Sequence, residues 1–348
     1  MKGHHTNPLL RGLFVAFIVA LSSKSFAQTI SADPQADAGA LCKAILAKSP
    51  PAPTDSGSFQ SDCDSSAYYF GIGRPKDFVA ARHCAYAELA KPSQTNSNIF
   101  AGPGVLSMIY ANGEGTPRNT SLARRFVCES GWSAPAELHI RLDLLDQIDK
   151  SAKPPHFDIC DTATSGLSQG WCQSVDSKIT QIERDRKIEQ LTSTLSPNAK
   201  AAFASLKKAE TSYEQARSAN EVDLSGTGRA AFEFEEEDSI ADEFLANLRS
   251  LQHPPPSSHL DPKEADAKLN IAYALVRQKL PEEGLSFGKY GTVGFNGVQK
   301  TERAWLQLRD RWMDFVSTAY PSYPRDTFLA SITLQRTHKL KSLLESAN

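Results

Sequence analysis

Apolar residues recur along this chain at three- and four-residue spacings, and no stretch alternates in the manner of a strand, so the pattern predicts an all-α protein. A first helix runs from Asp62 to about Phe70, Gly71-Ile72-Gly73 turns the chain, and Asp77 caps a partner helix through Leu89. A second pair covers roughly Gly104–Ala111 and Asn119–Ser130, and a third helix starts near Pro135 with Leu138, Ile140, Leu142, Leu144 and Leu145. Beyond Cys160 the pattern becomes sparser. A polar helix is expected over 172–195 on the stripe Val175, Ile179, Ile182, Ile188 and Leu191. Ser196-Pro197 opens another through Ala219, and a further one spans 230–251. Asp261 caps a helix through Leu280, a glycine-rich loop covers Gly284–Gly297, and a last long helix carries Trp305, Leu308, Trp312 and Phe315. Residues 28–61 are rich in Ala, Ser, Pro and Asp, with one short helix candidate at Leu41–Leu46. They read as a flexible segment that Pro50-Pro51-Ala52-Pro53 continues.

Within this pattern one stretch is duplicated. Tyr68, Gly71, Gly73, Pro75, Lys76, Asp77, Ala81 and Arg82 return 42 positions later as Tyr110, Gly113, Gly115, Pro117, Arg118, Asn119, Ala123 and Arg124. A fixed period in the forties with a Gly-x-Gly turn between helices marks stacked helical hairpins, an architecture that offers surfaces to partners. Lys208, Glu210, Tyr213, Gln215 and Arg217 also align with Lys300, Glu302, Trp305, Gln307 and Arg309, a weaker match that leaves duplication and coincidence both open.

The first 27 residues carry Lys2 and Arg11 before an apolar run from Gly12 to Leu21, and end on Ser25-Phe26-Ala27. They read as a secretory signal peptide cut after Ala27, because the run is too short to span a bilayer. The expected product is periplasmic or secreted, with no membrane anchor after cleavage. Removing this segment takes away Lys2, Arg11 and Lys24 and no acidic residue, so the net charge of −2 becomes −5. A mildly acidic chain argues against nucleic acid and suits a cationic partner. Its length beyond the leader, about 320 residues, exceeds one typical core and points to two domains. The six cysteines, Cys42, Cys63, Cys84, Cys128, Cys160 and Cys172, favour three disulfides in an exported chain, and with no Cys-x-x-Cys pair they do not suggest zinc. Six allow 15 connectivities, so pattern alone leaves the pairing open.

Motifs for chemistry are few. Gly166-Leu167-Ser168-Gln169-Gly170 fits the string of a nucleophile elbow, which needs a strand before the serine and a helix after it; no β run precedes this one. A disulfide-stapled loop leading into the next helix is the plainer account. The histidines are scattered and the glycine-rich segments lack a phosphate loop's Gly-Lys-Ser/Thr ending, so no metal, cofactor or catalytic residue is expected. Two candidates for partner binding remain: the acidic residues Glu235, Glu236, Glu237 and Asp238, which also fit a solvated helix face, and the aromatics Phe287 and Tyr290 of the glycine-rich loop, which also fit a loop packed back on the domain.

Two family resemblances give these features a context. Tyr110-Ala-Asn-Gly-Glu-Gly-Thr-Pro-Arg118 between two helices resembles the Sel-one-like repeat over about 62–150, which implies a protein-binding adaptor. The second half, 157–343, resembles the lysozyme inhibitor LprI-like domain, through Cys160 and Cys172, through 265–273 with Asp266, Leu269, Asn270 and Tyr273, through 302–310 with Trp305 and Arg309, and through Leu334–Leu340. Two cysteines usual in that domain have no counterpart at Trp312-Met313 and Ser331-Ile332; the resemblance therefore implies that Cys160 pairs with Cys172, while Cys42, Cys63, Cys84 and Cys128 remain unassigned. It further implies a non-enzymatic, exported protein that occludes a lysozyme or muramidase, a cationic protein partner that the acidic run would complement. An envelope adaptor using the repeats is the alternative.

Overall fold

The computed structural model describes residues 34–49, 63–90, 98–131, 133–253 and 261–345. The predicted signal peptide, its cut after Ala27 and the proline run at 50–53 lie outside them. Among the described residues there are twelve α-helices, one 3-10 turn and no strand, so the expected all-α class holds. None of these helices is long and apolar enough to cross a membrane.

Helices α1 (Pro34–Lys48), α2 (Ser65–Phe70), α3 (Phe78–Ala90), α4 (Gly102–Asn112), α5 (Thr120–Glu129) and α6 (Pro135–Lys150) surround a first core centred on Leu106, Ile109, Phe126 and Leu145. The sequence duplication is a duplication of hydrogen bonds. Gly71 N–H donates to Ala67 O and Asp77 N–H to Tyr68 O, as Gly113 N–H donates to Ile109 O and Asn119 N–H to Tyr110 O. All four turn glycines have φ between +65° and +78°, a region costly for any residue with a Cβ. Asp77 accepts from Ala80 N–H and Asn119 from Leu122 N–H, so both hairpins restart with the same cap. The two units are tied by Tyr69 Oη donating to Glu114 Oε2 at 2.6 Å and by Arg82 donating to Gly115 O at 2.7 Å.

Three disulfides are present: Cys42–Cys128 holds α1 to α5, Cys63–Cys84 holds the start of α2 to α3, and Cys160–Cys172 holds the 3-10 turn to α7. The polar helix predicted from 172 begins earlier, as α7 (Gly166–Thr192), with Ser165 as its N-cap. The reason is local: Ser165 Oγ accepts from Ser168 N–H, and the disulfide closes across the first turns of a helix instead of around a loop. Over its 27 residues, about 40 Å, α7 serves both cores: Trp171, Cys172, Val175 and Ile179 pack on the first, Ile188 and Leu191 on the second.

The second core is built by α8 (Pro197–Asn220) against α11 (Phe295–Ala319) and by α10 (Pro262–Lys279) against α12 (Arg325–Glu345), with α9 (Arg229–Ser250) lying along α7. The stripe carried by Trp305, Leu308, Trp312 and Phe315 ends with α11; after residues 320–324, α12 is a separate helix. Phe244, Trp312, Phe315 and Phe328 form its aromatic centre.

Candidate partner-binding face

The Gly166–Gly170 string is a packing surface. A Cβ at Gly166 would lie 2.2 Å from the Thr227 carbonyl carbon, and one at Gly170 3.0 Å from Ala230 Cβ, so both glycines let the start of α9 sit against α7. Ser168 is fully buried in the first turn of the helix and donates to Glu137 Oε2 at 2.8 Å. Glu137 also accepts from the N–H groups of Ala134, Thr164 and Ser165. Burial pulls that carboxyl upward, but the donors of Ser165, Ser168 and Thr164 outweigh it and hold it below the ordinary value. Ser168 therefore has a structural partner and no strand behind it.

Residues 281–294 form an ordered loop between α10 and α11. Its base is closed by Phe295 N–H to Pro281 O and Asn296 N–H to Glu282 O, and its interior by Leu285 N–H to Gly291 O at 2.8 Å and Gly291 N–H to Gly288 O. Two glycines admit the close approach: a Cβ at Gly284 would lie 1.9 Å from Thr292 O, and one at Gly291, where φ is +54°, 2.0 Å from the Asp223 carboxylate. Asp223 accepts from Thr292 N–H and Ser225 N–H, and Thr292 Oγ1 accepts from Leu224 N–H. Burial raises the Asp223 carboxyl, yet these donors more than offset it and keep it ionised below the usual carboxylate range. The two aromatics of the loop part company. Tyr290 packs on the second core, whereas Phe287 is fully exposed at the tip and Leu285 is 61% exposed beside it.

The acidic run on α9 divides in the same way, because successive helical residues are about 100° apart and four of them cannot share a face. Glu235 is exposed and, with Asp223 and Phe232, lines a shallow hollow of about 350 Å³. Asp223 thereby joins the hollow to the foot of the loop. Glu236 turns inward to pair with Arg217; burial raises its carboxyl, although Arg217 works against that. Glu237 and Asp238 line a different cleft, between α7, α8 and α9, where Asp238 pairs with Arg184 and accepts from Ser177. In that cleft Glu214 is pushed up to about 7, by burial first and then by Glu210 and Glu237.

Residues 260–340 match the lysozyme inhibitor LprI family. No curated protein and no solved structure matches the chain. The matched span takes in α10, the 281–294 loop, α11 and most of α12, less than half of the chain. Its motif residues are largely interior: Leu269 and Trp305 are buried, Tyr273 rests on Phe295 with ring centroids 5.5 Å apart, and only Asp266 and Asn270 face solvent. Arg309 reaches Asp266 at 3.9 Å and lies over the Trp305 ring. Arg336 carries a role that periodicity does not disclose. It is buried, donates both terminal nitrogens to Glu221 at 2.8 and 2.7 Å, and donates Nε to Glu302 at 2.9 Å. The signal was present in the closing Leu334–Leu340 motif, but its partners lie 115 and 34 residues away.

Proposed function

We propose that the protein is an exported, protein-binding inhibitor of a lysozyme or related muramidase, acting by occlusion and not by chemistry. The reading assigns a signal peptide to 1–27, a Sel-one-like repeat region to 62–150 and the inhibitor-like helical domain to 157–343. What carries it is the family match over 260–340, laid on a disulfide-bonded all-α frame that suits an extracytoplasmic protein. Ser168, the serine of the string that resembles a nucleophile elbow, is engaged by Glu137 in a helix.

The test is a cell-wall lysis assay. Purified mature protein, added in increasing molar ratio to a basic lysozyme, should slow the clearing of a suspension of bacterial cell walls to a plateau. A second reading, an envelope adaptor, is favoured by the two hairpins with matching hydrogen bonds at 68–82 and 110–124. No slowing at hundredfold excess would remove the inhibitor reading and leave the adaptor.

A further inference from the structure

Phe287 is the one aromatic ring in the described structure that is fully exposed, and the loop beneath it is closed by its own hydrogen bonds and pinned at Thr292 by Asp223. An apolar tip on a hydrogen-bonded support is unfavourable in water and favourable in a cleft, where the area of Phe287 and Leu285 leaves water. Because the support is already ordered, little of that gain goes into fixing the loop on binding. The tip is convex, so the surface that receives it is concave. Its surroundings are acidic. Glu282 and Glu283 are exposed at the base of the loop, where Glu283 accepts from the Asn296 side chain, Glu235 is exposed in the adjoining hollow, and Lys289 is the only base within 281–294. Phe232, 48% exposed on the same hollow, offers a second aromatic face.

Resting on the inhibitor reading, we infer that Leu285–Phe287 is the plug, and that its receptor is the polysaccharide-binding cleft of a muramidase whose rim is basic. A flat six-membered ring can occupy the place of a pyranose against the aromatic and apolar walls of such a cleft, while the surrounding carboxylates face rim arginines and lysines. The plug and the acidic rim act on different rates: losing the ring speeds dissociation, and losing the charges slows association.

The experiment measures binding to a basic lysozyme by biolayer interferometry, and inhibition in the lysis assay, for wild type, F287A, L285S/F287A and E235Q/E282Q/E283Q, with tri-N-acetylchitotriose as cleft competitor. Expected are at least tenfold weaker binding for F287A with unchanged circular dichroism, competition by the trisaccharide, and a several-fold slower association for the triple carboxylate variant that added salt imposes on wild type as well. A D223A variant, which frees the foot of the loop but keeps Phe287, should bind several-fold more weakly. Wild type that inhibits while F287A inhibits equally, or inhibition the trisaccharide leaves untouched, overturns the plug and spares the inhibitor reading. Wild type that does not inhibit overturns both.

Discussion

Replacing Arg336 by methionine removes the charge that holds two buried carboxylates. Arg336 is fully buried, Glu221 is 1% and Glu302 13% exposed at the side chain, and the guanidinium makes three hydrogen bonds to them. Breaking a buried pair from one side costs about 3–5 kcal/mol, because the remaining charge keeps its desolvation penalty without its partner. Arg217 still lies 3.6 Å from Glu221, which limits the loss on that side, so R336M should cost about 4 kcal/mol of a total of about 5–15. Urea unfolding followed by tryptophan fluorescence reads it directly, since Trp305 and Trp312 sit in the second core. The pH dependence supplies the sign. Burial already holds Glu302 above its ordinary value despite Arg336, and without the arginine that carboxyl rises further. A group whose folded value is raised stabilises fully below its unfolded value and loses that contribution as pH climbs through the folded one. The deficit of R336M should therefore shrink from pH 8 to pH 5, and R336M/E221Q/E302Q should recover much of it at pH 8. A loss under about 1 kcal/mol, or one equal at both pH values, would refute the buried-pair account.

Three other outcomes follow from the same packing. G166V should destabilise by about 3 kcal/mol or more, since its branch meets the Thr227 backbone; thermal denaturation near wild type would show that α9 can retreat at little cost. Glu214, raised to about 7, contributes stability below pH 4.5 that is lost as pH rises through 7, by about 1–2 kcal/mol after solvent screening. E214Q should flatten the stability curve between pH 5 and 8, and a slope unchanged from wild type would exclude that assignment. C42A/C128A opens the widest covalent loop, of separation 86, and should lower stability by up to about 4–5 kcal/mol on the chain-entropy account; peptide mapping without reductant checks the pairing, and a melting temperature unmoved from wild type would discount it.

The hairpins of the first module were legible because everything that makes them is local. Tyr68 to Asp77 and Tyr110 to Asn119 close their bonds within ten residues, and glycine is the residue that tolerates φ near +70°. The caps at Asp77, Asn119, Ser196 and Asp261 were readable for the same reason. The end of α11 has a local signal as well, Pro321 and Pro324, which cannot continue the helix; what the stripe of Trp305 to Phe315 does not announce is that the chain goes on from Arg325 as a separate helix.

By itself, the order of residues determined that this chain is helical, where its repeat units turn and which side of each helix is apolar, since these depend on spacings of three to ten residues. Tertiary structure alone decided what the charged and polar groups do. Glu235, Glu236, Glu237 and Asp238 are chemically alike and adjacent, yet one faces solvent, one meets Arg217 and two enter another cleft, according to what packs against each side of α9. Phe287 and Tyr290 differ by three positions in one loop, yet one ring is fully exposed and the other packs on the second core, while the loop's backbone is held at Thr292 by Asp223, 69 residues earlier in the chain. A side chain's charge and shape are written in the sequence, but its energy depends on the dielectric and the neighbours that the folded chain brings around it.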